Sequence, residues 1–537
     1  MGVEAISVRH AEIAPSARSL ESSEQSLITT HAPAFVRATQ YTYHDDPPNR
    51  LAWQPGVREW LVMTCISILV TMDAFNTTVV IPLMPGLADI FQQDLENALW
   101  ISTSYLIGNA SGQALFAMFA EILGAGPILL CSAVLATTGT GVCGGSLSLP
   151  VLVAGRFIQG MGGGGVLGIS HLIVLDLIPP THQVRFFSYV FRAQVVGIIL
   201  GLVGGGVFDD YAAWIWAFYS SFVFCAMGML VIPFALDLRG QGDGPKGTPT
   251  SRFRGMDWIG ATLILPGLGC VMVGIGWGGT QFAWDSWQTL VPVCVGTSLL
   301  GLLVVYEAKW AAQPMFGARV FRDVSSSMLQ MGGFLHGFIF SSQIHFVPVY
   351  LVLIQGLRAT VTGVSLVTLT GLTLPTIVIA GALQHSGPVD LATWTIRIGW
   401  LISAAASGCF LLFDTTTPPP AWVFILLAAG LGHSLLTPGY YVSIQVHAPR
   451  DRARLSTSPI LVHSILRTWG MCLAVPLSAT VVTNSLSRTS IPYATHLASY
   501  LPEESKDAHT HALQVLWILM TVAVGLGGLS SLGIRRA

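Results

Sequence analysis

Charged residues along this chain come in short clusters separated by long apolar stretches. Ten stretches lack Asp, Glu, Lys and Arg altogether: residues 97–120, 122–155, 157–175, 211–236, 258–284, 286–306, 324–357, 359–389, 415–449 and 508–534. Four more apolar stretches hold one charge each, 60–84 with Asp73, 186–206 with Arg192, 393–413 with Arg397 and 457–480 with Arg467. A hydrocarbon core about 30 Å thick is crossed by roughly 20 mainly apolar helical residues, and charges inside it are costly. The gap at 122–155 holds one crossing over about 127–146, and Pro150 then leads into the next. The pattern predicts fourteen membrane-spanning helices, hence an all-α polytopic membrane protein.

Composition narrows the class further. Of 537 residues, 52 are charged (25 Lys+Arg and 27 Asp+Glu), or 10%, against about 25% in a soluble domain. Residues 1–58 carry eleven of these charges, leaving 41 for the other 479 residues, too few to clothe a soluble surface. An apolar share of 52% equally excludes a disordered chain. A net charge of −2 argues against a nucleic-acid binder, which needs a basic face. The eight cysteines (Cys65, Cys131, Cys143, Cys225, Cys270, Cys294, Cys409 and Cys472) lie in apolar stretches without C-x-x-C spacing. They read as buried thiols, neither disulfide partners nor metal ligands, and no cofactor is implied.

With the N-terminus in the cytoplasm, eighteen Lys and Arg residues fall on inside segments and three (Arg358, Arg488 and Lys506) on outside loops, the remaining four lying within spans. That bias predicts that both termini are cytoplasmic. Residues 1–58 read as a polar cytoplasmic tail without the apolar core of a signal peptide. Residues 237–256 form the main cytoplasmic linker, and about 482–511 the only long outside loop. The sequons at Asn76 and Asn109 fall inside predicted spans and are expected to carry no glycan.

Three segments carry candidate chemistry. Residues 154–165 read AGRFIQGMGGGG, and their spacing puts Arg156, Gln159 and Gly160 on one helix face, with Gly164 continuing it. A mid-span arginine faces a polar interior or a partner carboxylate, while the glycines permit close helix packing. Residues 197–206 read GIILGLVGGG, with Gly197, Gly201, Gly205 and Gly206 at the small-residue period of tightly packed membrane helices. Residues 72–82 read MDAFNTTVVIP, which places Asp73 well inside the first span beside Asn76 and Thr77. A carboxylate buried there either titrates or is permanently paired with a group such as Arg156.

Together these segments resemble the major facilitator superfamily, specifically its fourteen-span drug:proton antiporters, a group common in fungi. The resemblance covers about residues 59–536. Residues 154–165 are similar to the family's span 4 motif R-x-x-Q-G, 197–206 to its span 5 motif G-x-x-x-G-P-x-x-G-G, and 72–82 to its span 1 motif. Asp257-Trp258-Ile259-Gly260 opening span 7, and Gln355-Gly356 with Thr362-Gly363 near span 10, agree as well. There are departures. The span 2–3 loop motif G-x-x-x-D-x-x-G-R-K/R falls on AMFAEILGAG, where Glu121 and Gly124 survive but Ala125 and Gly126 replace the basic pair. The span 5 proline is Leu202, and W-R-W before span 6 is Trp214-Ile215-Trp216.

The resemblance implies a six-helix half over 59–236, two inserted spans and a following loop over 257–323, and a second six-helix half over 324–537. The halves would rock about a site near the bilayer midplane, lined by spans 1, 4, 9 and 12 and flanked by 2, 5, 10 and 13. Polar residues there become candidates: His171, Arg192, His336, His345, His433, His463 and Arg467 beside Asp73 and Arg156. The expected activity is proton-driven efflux of a small amphipathic molecule (drug, toxin or secondary metabolite) by a monomer in the plasma membrane. Asp73 would take up and release the proton, and Arg156 would hold its ionised form. Proton-coupled uptake of a nutrient or siderophore-like ligand is the alternative. A membrane-embedded enzyme is disfavoured, since no H-x-x-x-H cluster, G-x-S-x-G elbow or P-loop lies near the spans.

Overall fold

The computed structural model describes residues 53–236, 256–311, 314–383, 390–447, 458–487 and 503–534. The polar tail up to residue 52, nearly all of the 237–256 linker, Arg450, Arg452, Arg454, Arg488, Arg535 and Arg536 lie outside them. Among the described residues, fourteen helices are long and apolar enough to cross a membrane. Spans 1 to 7 are Val57–Thr78, Leu95–Leu123, Ala125–Gly144, Leu149–Leu177, Pro180–Tyr211, Trp216–Ala235 and Trp258–Trp277. Spans 8 to 14 are Trp287–Lys309, Val324–Ile354, Ala359–Ile379, Leu391–Leu412, Pro419–His447, Pro459–Leu486 and Ser505–Leu532.

Local chemistry sets several boundaries. Pro82 has no N–H to offer the carbonyl four residues back, and span 1 breaks at Val79 before continuing as the helix Val80–Ile90. Spans 2 and 3 are joined at Gly124, whose φ of 92° suits glycine. Asp257 caps span 7, its Oδ1 accepting from the Gly260 N–H at 2.7 Å. Two expectations need correction. Span 14 begins earlier than its apolar run, so Lys506 lies on its first turn and not in the outside loop. The cysteines are all free, but Cys131 and Cys294 are exposed and Cys270 and Cys409 only half-buried. An apolar stretch does not say which helix face looks outward, toward lipid.

Span 2 packs on span 4, span 3 on spans 4 and 6, and span 1 on spans 5 and 6. In the second set, span 9 packs on spans 13 and 14, span 11 on spans 12 and 14, and span 10 on span 12. Two seams join the sets: span 5 lies along span 10, and span 2 along span 13. Spans 7 and 8 pair with each other, and span 7 also touches spans 2 and 13. Burial places spans 9 and 4 at the centre, 94% and 89% of their apolar windows being covered, against 17% for span 8. Successive spans alternate in direction, so odd-numbered spans start at one face, here called near, and end at the far face.

Candidate functional site

On span 4, Arg156 is fully buried. Its Nε donates to the Ile101 carbonyl at 3.2 Å and one terminal nitrogen to Gln159 Oε1 at 2.6 Å, while Gln159 Nε2 donates to Thr140 Oγ1 at 2.8 Å. The guanidinium carbon lies 4.2 Å above the centre of the Tyr105 ring on span 2, a cation–π contact. Gly160 and Gly164 let span 4 approach the main chain of span 2 at Tyr105 and Asn109, where a Cβ would collide with carbonyl oxygens. The R-x-x-Q-G pattern thus fixes one arginine and one close helix contact.

Asp73 on span 1 is buried, and its Oδ1 accepts from the Tyr105 hydroxyl at 2.6 Å and from Asn109 Nδ2 at 2.8 Å. Gly163 leaves the room for this arrangement, since a Cβ there would overlap Asp73 Oδ1 and the Tyr105 hydroxyl. The expected direct pairing of Asp73 with Arg156 is absent. Arg156 directs Nε to Ile101 and one terminal nitrogen to Gln159, its other terminal nitrogen staying unbonded, and Tyr105 stands between the two charges, stacked on one and bonded to the other.

The polar contacts continue across the seam. Gln113 Nε2 donates to Asn109 Oδ1 at 2.9 Å and to Thr468 Oγ1 on span 13 at 2.8 Å, while Ser464 Oγ donates to Gln113 Oε1 at 2.7 Å. A thread of hydrogen bonds therefore runs from Asp73 through Asn109 and Gln113 to span 13, on either side of Arg467. Tyr105, Asn109 and Gln113 recur at four-residue steps along one face of span 2, a stripe legible in the sequence but outside the family motifs.

A cavity of about 50 Å³ lies where these elements meet, room for a few water molecules. Spans 1, 2, 4, 5, 9, 12 and 13 line it, through Asp73, Asn109, His171, Gln194, His345, Tyr441 and Arg467 among others. Toward the far face, Gly206 of span 5 lies against the Ala359 carbonyl, Thr360 Oγ1 donates to the Gly206 carbonyl at 3.0 Å, and the Thr360 N–H donates to Asp210 at 2.9 Å. Toward the near face, aromatic rings fill the gap. Phe191 and Tyr441 centroids are 3.9 Å apart, His171 stacks on Phe187 at 5.7 Å, and Tyr441 meets His463 at 5.4 Å.

Of the sequence candidates, Asp73, His171, His345 and Arg467 line the cavity. Arg192, His336, His433 and His463 do not. Arg192 folds back onto Ser188 and the Tyr189 ring. His336 and His433 stack on each other at 5.2 Å inside the second set, and His433 Nε2 pairs with Gln343 at 2.7 Å. Gly197, Gly201 and Gly205 serve packing against span 1, at Thr71, Thr78 and Val79, and Gly206 serves packing against span 10. Gly363 of span 10 abuts the carbonyl of Leu202, the residue standing at the motif's proline position.

Comparison with known proteins adds a family. Residues 66–475 match the family profile of the Major Facilitator Superfamily. The MFS transporter L2 of Phoma sp. is 28% identical over 508 residues, covering 90% of this chain and 83% of the relative. The MFS efflux transporter aclA of Aspergillus oryzae is 26% identical over 435 residues, covering 81% and 77%. Among solved structures, a bacterial homologue of the human lysosomal transporter Spinster, inward-facing and unoccupied, superposes with a TM-score of 0.57 at 16% identity, over 90% of this chain and 98% of that one.

Proposed function

Since the chain belongs to the major facilitator superfamily of membrane transporters, we propose that it exports a small amphipathic organic molecule in exchange for protons. In this reading the near face is cytoplasmic, both termini are inside, and the monomer works in the plasma membrane. The excess of Lys and Arg on the near-face segments supports that orientation. Spans 1–6 and 9–14 form the two halves that tilt, with spans 7 and 8 inserted between them. The names of fungal relatives as efflux transporters support the outward direction.

One observation carries the proton-coupled reading. Asp73 lines the cavity, and its hydrogen-bond thread ends on the opposite side of the seam. Ionised Asp73 accepts from Tyr105 and Asn109. Asn109 therefore turns its oxygen to Gln113, and Gln113 bonds span 13. A proton on Asp73 removes the anion that orients Asn109, so the contact between the halves responds to ionisation at one site. Tilting also alters the donors around Asp73, which lets it release on one side the proton taken up on the other.

The test is pH-driven flux of a fluorescent amphipathic dye in proteoliposomes holding the purified protein. Asp73→Asn abolishes the response to an imposed pH gradient while the protein still inserts. Undiminished pH-driven flux in that variant rules out the role. Accumulation toward the face bearing the N-terminus, driven by protons moving the same way, would establish import.

A further inference from the structure

The second bundle presents a charge that its own residues do not answer. Arg467 lines the central cavity, its Nε is sealed from solvent, and it makes no hydrogen bond or ion pair among the described residues. Its guanidinium carbon lies 5.8 Å from the Phe340 ring centroid, a distant cation–π contact. Its neighbours on the same helix, Ser464 and Thr468, are both engaged by Gln113. Of the three buried charges near the site, Asp73 and Arg467 line the cavity, while Arg156 lies behind the Tyr105 ring.

An uncompensated charge in a low-dielectric interior is costly and is normally paired. The cavity at Arg467, about 50 Å³, has room for a carboxylate group but not for a whole organic acid, so the body of such a ligand enters only when the halves part. We propose that the cargo is an amphipathic organic acid whose carboxylate, or an anionic group of equivalent charge, pairs with Arg467, while its apolar body lies against Phe340, Ile344 and Met471. The fork of guanidinium donors suits a carboxylate in two-point contact. The inference rests on the transport reading and deepens it.

The test uses the purified full-length protein in lipid nanodiscs with three matched probe series: ω-phenylalkanoates of graded chain length, and the alcohols and amines of the same lengths. Binding is read by intrinsic tryptophan fluorescence and by thermal stabilisation. The carboxylates bind about tenfold or more tightly than the alcohols, because a charge-assisted pair exceeds a neutral one, and the amines bind worst. Arg467→Gln removes that preference and leaves alcohol binding in place, which also shows that the variant is folded. Arg467→Lys keeps part of the preference. Carboxylates binding no better than alcohols, including no binding at all, overturn the inference, as does a preference that survives in Arg467→Gln. The proton reading fails separately: pH-driven flux surviving in Asp73→Asn would refute it while the carboxylate preference stands.

Discussion

In the first bundle the buried carboxylate of Asp73 is met by two donors of span 2, and the buried guanidinium of Arg156 by a carbonyl, an amide and a ring face. In the second bundle the Arg467 side chain has no polar partner among the described residues, and one buried ring nitrogen each of His336, His345, His433 and His463 has none there either. Both bundles hold buried polar atoms without hydrogen bonds, the Asn76 amide, His171 Nε2 and one terminal nitrogen of Arg156 in the first among them, but of the charges that line the cavity only Arg467 goes unbonded among the described residues. A satisfied network fixes geometry and can register a proton, because a single proton changes which donors it needs. An unsatisfied one is poised for something that arrives from outside.

Three substitutions break or sharpen this contrast. The largest effect falls on the glycine that makes room for the satisfied carboxylate. Gly163→Val pushes a side chain into Asp73 and Tyr105, lowering stability by about 3 kcal/mol through overpacking. Thermal melting in detergent shows the loss, and flux disappears with it. A smaller effect comes from Tyr105→Phe, which keeps the ring under Arg156 and removes one donor to Asp73. A hydrogen bond to a charged group contributes about 1.5–3 kcal/mol, so half-maximal flux moves to higher pH by about one to two units. An unshifted profile would mean that Asp73 is not the group being titrated. The smallest effect is expected at Arg192, whose guanidinium folds back outside the cavity. Arg192→Gln changes melting by less than about 0.5 kcal/mol and leaves flux at the wild-type level.

The fourteen spans were legible because hydrocarbon excludes charge, and gaps between charges are a direct record of that exclusion. Asp73 and Arg156 stood out for the same reason, as the exceptions. Tyr105, Asn109 and Gln113 carry no charge and so left no such mark, although their four-residue spacing was visible. In the sequence Asn109 stands out only as part of a sequon. The expected pairing of Asp73 with Arg156 failed on one intervening ring, which depends on how spans 2 and 4 meet and not on either sequence. Phe191 and Tyr441 illustrate the same limit: 250 positions separate them in the chain, and only the assembled bundle brings their rings to 3.9 Å. Local periodicity fixes what crosses the membrane, and tertiary meeting decides which residues talk to each other.

The far-face contact between spans 5 and 10 depends on the missing Cβ of Gly206, beside the Ala359 carbonyl, and on the Thr360 and Asp210 side chains, each bonded to main chain across the seam. The fit holds only while position 206 carries no Cβ and positions 210 and 360 keep their polar side chains, and none of the three lines the cavity. Cavity residues can therefore be exchanged for others while this contact between spans 5 and 10 stays intact.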